Sequence, residues 1–298
     1  MKRSGAVKFP ESVQLFKFCQ KVLMSQRGTK VNDQDVGSIL NFNPSDCSHW
    51  KRGEKNVRSV FSLAKLAEVL EVETSLIHDV ASGLSGLDEA IFEWQESHNL
   101  KQLRQKLALC SPDKVIEVRK RVESFVATLH AQIQFITPPL YLPEALRSFS
   151  FVATQQADMI DKLSRLLRVK PGHYAIHYRK GDLKPQTRMA MTKDLARILF
   201  EGERARFPEL GAHDGELLEY EETLFIASLL APKSLLAQEM AKLDSRRNMI
   251  SELATLFWVP KTLIGFQLQD IVRMGQKIAV AAVDNAVKPA SITTTSAG

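Results

Sequence analysis

Apolar residues recur every three or four positions along most of the chain, and this spacing predicts helices before any chemistry is considered. In ESVQLFKFCQKVLMSQ, residues 11–26, Phe16, Cys19 and Leu23 share one face, and Gly28 closes the helix. VNDQDVGSIL follows with Asn32 or Asp33 as a cap, and NFNPSDCSHWKRGEKN places another helix start near Pro44. SVFSLAKLAEVLEV is amphipathic through Val60, Leu63, Leu66, Ala67 and Leu70, and TSLIHDVASG is a short helix capped by Thr74 and stopped by Gly83. GLDEAIFEWQESHN and LKQLRQKLALC read as two further short helices. Ser111-Pro112-Asp113 opens a longer one, in which Val115, Val118, Val122, Phe125 and Leu129 form a short heptad seam. Such a seam serves either a dimer or packing onto the chain's own C-terminal part.

The pattern changes after Gln134. FITPPLYLP reads as an irregular connector, since Pro138-Pro139 cannot sit inside a helix. EALRSFSF predicts a short helix and TQQADMIDKLSRLLR a longer one. HYAIHYRKG alternates as a strand does, and an extended piece through Thr187-Arg188-Met189 leads into the helix TKDLARILFEG. EYEETLFIASLLAP, residues 219–232, and SELATLFWVPKTLIGFQL return to helical spacing. Beyond about Val283 the chain is small and polar, which predicts a disordered tail at 284–298. The expected fold class is mainly α with a small β-sheet, the C-terminal part being α+β.

Composition narrows this little: 298 residues with 44% hydrophobic and 25% charged side chains suit two globular cores. Cys19, Cys47 and Cys110 are too scattered for a disulfide framework or a metal cluster, which fits a reducing cytoplasm. The basic N-terminus has no apolar stretch behind it, and no window approaches the roughly eighteen apolar residues that a membrane span needs. The chain is therefore expected to be cytoplasmic and to have no membrane partner.

Net charge is +6 and the pI about 9.2, which permits nucleic-acid binding without requiring it. Residues 1–84 hold twelve Lys and Arg against nine Asp and Glu, a net +3, so local arrangement matters more than the total.

Five short helices in about eighty residues are what a helix-turn-helix repressor head provides. Val36 and Gly37, then Phe42, Cys47, Trp50 and Gly53, and the Leu66-Ala67 pair are similar in spacing to the XRE (Cro/repressor-like) family. Gly37 would let two helices cross closely, and Cys47 and Trp50 would face inward from the recognition helix. The resemblance implies that residues 1–84 bind double-stranded DNA. Asn43, Ser45, Asp46, Ser48 and His49 lie on the outward side of the helix near Pro44, with Asn32 and Gln34 on the helix before it. Lys51, Arg52, Lys55 and Arg58 suit phosphates. Asp46 either accepts from a cytosine amino group or orients the helix.

The strand, the helix TKDLARILFEG and the later helix E-E-x-x-F-x-A-x-L-L-x-P resemble the ImmA/IrrE family of metallopeptidase-like domains over roughly Pro138 to Asp270. In a zinc peptidase, H-E-x-x-H sets two imidazoles on one helix face with the Glu as general base. By that resemblance Lys193 and Arg197 stand at the two histidines, Asp194 at the general base, and Glu221, or its neighbour Glu222, at the third ligand. An ammonium and a guanidinium are not zinc ligands at neutral pH. The expectation is therefore an inactive domain with no metal and no cofactor, in which Arg197, with Lys193, neutralises a buried Glu221. His173 and His177 share a strand face, but positions four apart are about 13 Å from each other, too far to share an ion. SELATLFWVPKTLIGFQL mimics a second helix-turn-helix but lacks a basic outward face.

The combined expectation is a bacterial or phage DNA-binding regulator. It has a head at 1–84, a helical linker or dimerisation region at 85–137, and a pseudo-peptidase domain at 138–283 that dimerises or senses a small-molecule, nucleic-acid or protein signal. A homodimer fits paired half-sites. Two other readings stay open: a protease with noncanonical metal ligands, and a protein-binding adaptor.

Overall fold

In the computed structural model, which describes residues 7–159, 162–181, 183–211, 215–244 and 248–272, capping chemistry delimits the first helices. α1 (Pro10–Arg27) ends where Gly28 takes a left-handed conformation. α2 (Asp33–Ser38) opens on a full capping box, Asn32 accepting from the Asp35 amide and Asp35 from the Asn32 amide. α3 (Pro44–Lys51) is capped by Asn43, and α4 (Val60–Leu70) by Ser59. α5 (Thr74–Ser82) runs from Glu73, without a side-chain cap, to a left-handed Gly83; Thr74 is its first residue and not its cap.

These helices enclose one core. Trp50 is fully buried at its centre, packs edge-on against Phe16 at 5.1 Å and Phe42 at 5.8 Å, and donates its indole N–H to the Ser12 carbonyl at 2.9 Å. Gly37 belongs to α2 at its crossing with α3. A Cβ there would stand 2.8 Å from the Cys47 sulfur, so the approach requires glycine.

The two short helices expected at 86–110 are a single one, α6 (Leu87–Leu107), because Asn99 and Leu100 carry no turn signal strong enough to interrupt it. Its first turns pack Ala90 and Trp94 onto the α1–α5 core. The chain forms two compact units, 1–102 and 103–298, so the region read as a linker is shared between them.

In the second unit, α7 (Pro112–Gln132) buries Val118, Val122, Val126 and Leu129 and packs against α10 (Glu216–Leu230). Val118, Val122 and Leu129 of the expected seam are thus used within the chain together with Val126, while Val115 and Phe125 are only half-buried. α8 (Leu142–Arg147) precedes a three-stranded mixed sheet. β1 (Val152–Ala157) runs parallel to β3 (His173–Arg179), and β2 (Ser164–Lys170) runs antiparallel to it, in the order β1-β3-β2.

The longer helix expected over TQQADMIDKLSRLLR is therefore replaced by two strands. Leu166 and Leu167 pair with Ile176 and Ala175 of β3, and an adjacent Leu pair fits either period. The extended piece expected at Thr187-Arg188-Met189 is likewise helical, inside α9 (Pro185–Arg197), since Pro185 favours the first helical turn.

α9 lies on β2 and β3 and against α10. A π-helical turn, Ile198–Gly202, widens its end, and short 3₁₀ turns at Arg204–Arg206 and Pro208–Leu210 follow. α11 (Lys233–Met240), α12 (Met249–Phe257) and a helix at 261–272 complete the described residues. No helix among them is long and apolar enough to cross a membrane. The tail expected at 284–298 lies outside them.

Candidate functional site

The surface around α3 is built by local polar chemistry. Asn43 accepts from the Asp46 amide at 2.8 Å, and Gln34 donates to the Phe42 carbonyl at 2.8 Å, so both side chains hold the α2–α3 turn. Asn32 caps α2 in the same way. Ser45 and His49 are exposed and Ser48 is half-buried, which leaves these three on the outer side of α3.

Each expected phosphate ligand has an acidic neighbour. Lys51 meets Asp33 at 2.6 Å, Lys55 meets Asp46 at 2.8 Å, and Arg52 grips both oxygens of Glu54 at 3.0 and 3.1 Å. Arg52 and then His49, hydrogen-bonded to Glu54, hold that carboxyl below its ordinary value. Lys55 also sits 3.9 Å above the Phe42 ring. Arg58 donates to the Ala81 carbonyl at 2.9 Å and lies 3.5 Å from Glu11, which ties it to α5 and α1. Asp46 thus orients α3 and holds Lys55. Exposed pairs of this kind are worth at most about 1 kcal/mol each, so they can be exchanged for phosphates at small cost.

At the start of α4, Phe61 is 89% exposed beside an exposed Val60. The stripe that enters the core is Leu63, Leu66, Ala67 and Leu70; Val60, expected in it, is exposed as the first residue of the helix.

A second group of charges lies between α9, β2 and α10. Asp194 is buried and accepts from the Ser164 hydroxyl at 2.7 Å; burial raises its pKa, which that bond and Arg197 partly counter. Arg197 is 53% exposed and pairs with Asp194 at 3.9 Å.

The guanidinium on Glu221 is that of Arg204, at 2.6 and 3.4 Å, and not that of Arg197 as the sequence suggests. Arg204 also donates to the carbonyls of Phe200 at 2.8 Å and Gly211 at 2.6 Å. The π-helical turn and the 3₁₀ turn after it deliver Arg204 to Glu221, whereas Arg197 points from a more exposed face of α9. Glu222 lies in the field of Lys193 and Arg197; burial, followed by Glu201, raises its pKa against their pull. So Glu222, one residue on, faces the charges expected on Glu221.

These donors do not suit zinc. An ammonium, a guanidinium, a carboxyl bonded to serine and a carboxylate gripped by arginine offer no set of three ligands. Among the described residues no cluster of three or more His, Cys, Asp or Glu is placed to hold a metal ion. His173 is exposed at the start of β3 and His177 half-buried within it.

Two charged residues of this region carry little signal in the sequence. Arg204 belongs to no apolar pattern, and its only signal is the demand of a buried glutamate for a cation. Arg188 is buried, pairs with no carboxylate among the described residues, and donates to the carbonyls of Leu140, Phe257 and Trp258 at 2.6 to 3.0 Å; burial lowers its pKa to about 10. It thereby satisfies the end of α12. Comparison of the chain with protein-family models, curated proteins and solved structures finds no match.

Proposed function

We propose that the chain is a sequence-specific DNA-binding transcriptional regulator of bacterial or phage type. Its first unit reads double-stranded DNA through α3, and its second unit is a peptidase-like module without peptidase chemistry. The observation that carries this reading is the α2–α3 pair. Gly37 and Cys47 set the crossing, Asn43 starts α3, and Ser45, Ser48 and His49 remain outward while Cys47 and Trp50 are buried. Lys51, Arg52 and Lys55 flank that face in pairs weak enough for phosphate to displace the carboxylates.

For the second unit, the support is chemical: Lys193 and Arg197 stand where ligands would be needed, and Arg204 occupies Glu221. Dimerisation follows from the two-half-site logic of such heads, in a cytoplasmic, nucleoid-associated protein.

Selection of bound sequences from a random duplex library tests the reading. An enriched, roughly palindromic site is expected, with preference at defined base pairs relaxed by Ser45→Ala and Ser48→Ala. Lys51→Ala should weaken all sequences alike and reduce the salt slope by about one. A library with no enriched sequence refutes the reading.

One observation favours a protein-binding adaptor instead: two apolar side chains, Val60 and Phe61, are exposed side by side at the start of α4. If Phe61→Ser abolishes capture of a protein partner while the duplex library shows no enrichment, the adaptor replaces the regulator.

A further inference from the structure

The second unit contains a cavity of about 740 Å³ bounded by α7, by residues 148–151 and by residues 207–209. That volume lies within the range of small-molecule sites. Its floor is aromatic. Phe125 approaches Phe207 at 5.4 Å edge to face, Phe149 approaches Phe151 at 5.8 Å, and Phe207 stands 6.3 and 6.2 Å from those two. Four rings from three chain segments therefore line one space; Phe149 and Phe151 are largely buried in its wall, with the Arg206 guanidinium 4.7 Å over the Phe151 ring.

The mouth is polar. Ser124 on α7 and Ser150 beside β1 present hydroxyls at exposed positions. Lys120 and Arg121 supply two cations and Glu209 one carboxylate. Arg121 is shared with Glu117, four residues before it on α7, whereas Lys120 makes no ion pair among the described residues. The lining charges are thus net positive over an aromatic floor.

We propose that this cavity binds a small aromatic anion, a planar ring system carrying one carboxylate or sulfonate. The ring lies among Phe125, Phe149, Phe151 and Phe207, and the acid group meets Lys120 with Arg121 beside it. Aromatic walls favour a planar body, and the unpaired ammonium at the rim selects an anion over an uncharged ring. The cavity wall and the buried pair share one segment: Phe207 lines the space, and Arg204, three residues earlier, holds Glu221 and the Gly211 carbonyl. An occupant therefore touches the segment that neutralises Glu221. The proposal stands on the second unit alone and does not depend on DNA binding.

The test uses the full chain and two fluorescent probes, anilinonaphthalene sulfonate and the uncharged phenylnaphthylamine that lacks its sulfonate. The sulfonate probe should bind saturably, one per chain, and at least about tenfold more tightly than its uncharged counterpart, which corresponds to roughly 1.4 kcal/mol. Lys120→Glu should weaken the sulfonate about tenfold and leave the uncharged probe unchanged. Ser124→Trp, at an exposed helix position, should block both probes while circular dichroism and the melting temperature stay as in the wild type. Equal affinity for the two probes, or sulfonate binding indifferent to either substitution, overturns the proposal. So does a change of oligomeric state on Ser124→Trp, because the cavity would then be filled by a second copy of the chain.

Discussion

Replacing Arg204 by alanine should destabilise the second unit by about 3–5 kcal/mol, because it takes the guanidinium away from a carboxylate that has no exposed surface. Opposite charges 2.6 Å apart attract by about 6 kcal/mol at an effective dielectric near 20. Several kcal/mol of desolvation per ion offset most of that gain, so the intact pair adds little net stability. Removing the guanidinium alone keeps the Glu221 desolvation and loses the attraction. Removing both charges, with Arg204→Met and Glu221→Leu, should return stability to within about 2 kcal/mol of the wild type. The remaining deficit reflects the Phe200 and Gly211 carbonyls, which lose their donor at about 1 kcal/mol each. Arg197→Ala, at a half-exposed side chain 3.9 Å from Asp194, should cost less than about 1 kcal/mol. Urea unfolding followed by circular dichroism, with hydrogen exchange in the α10 peptides to localise the loss, measures all three. An Arg204→Ala protein within about 0.5 kcal/mol of the wild type, or a double variant no better than the single one, refutes the reasoning.

Three further outcomes follow from the same structure. Gly37→Ala forces a Cβ to within 2.8 Å of the Cys47 sulfur and 2.9 Å of its Cβ and should cost about 1–3 kcal/mol in thermal unfolding; with Cys47→Gly, which removes both atoms, the two costs should sum to less than their additive total, and additive costs would refute the crossing argument. Arg188→Met leaves the carbonyls of Leu140, Phe257 and Trp258 without their donor and should cost at least about 3 kcal/mol in denaturant unfolding, whereas a variant of wild-type stability would show those groups satisfied by water. Burial raises the pKa of Glu222 and of Asp194 in the folded chain, so the fold holds protons that the unfolded chain has released. Their contribution is full below the ordinary carboxylate range and is lost as pH rises through the raised values; Glu222→Gln should flatten that decline in urea midpoints measured against pH, and an unchanged slope would refute it.

Much of the first unit is legible from the chain itself, because its determinants are local. Asn32, Asn43 and Ser59 satisfy amides three residues ahead, Gly28 and Gly83 end helices in left-handed conformations, and the Leu63–Leu70 spacing marks a buried face. Cys47 and Trp50 are buried on α3, the side that the helix-turn-helix resemblance implies for them. The second unit is less legible. Leu166 and Leu167 fit helix or strand equally, and only pairing with β3 selects the strand.

For the candidate sites, sequence alone determined that Lys193 and Arg197 cannot be metal ligands and that a glutamate in the apolar run of α10 needs a cation. Tertiary structure decided that the cation on Glu221 is Arg204, that Glu222 faces the α9 charges, and that four phenylalanines from distant segments surround one cavity. The division has a physical cause. Caps, turns and amphipathic faces depend on neighbours a few residues away, whereas the partner of a buried charge and the shape of a cavity depend on which distant segments the packed core brings together.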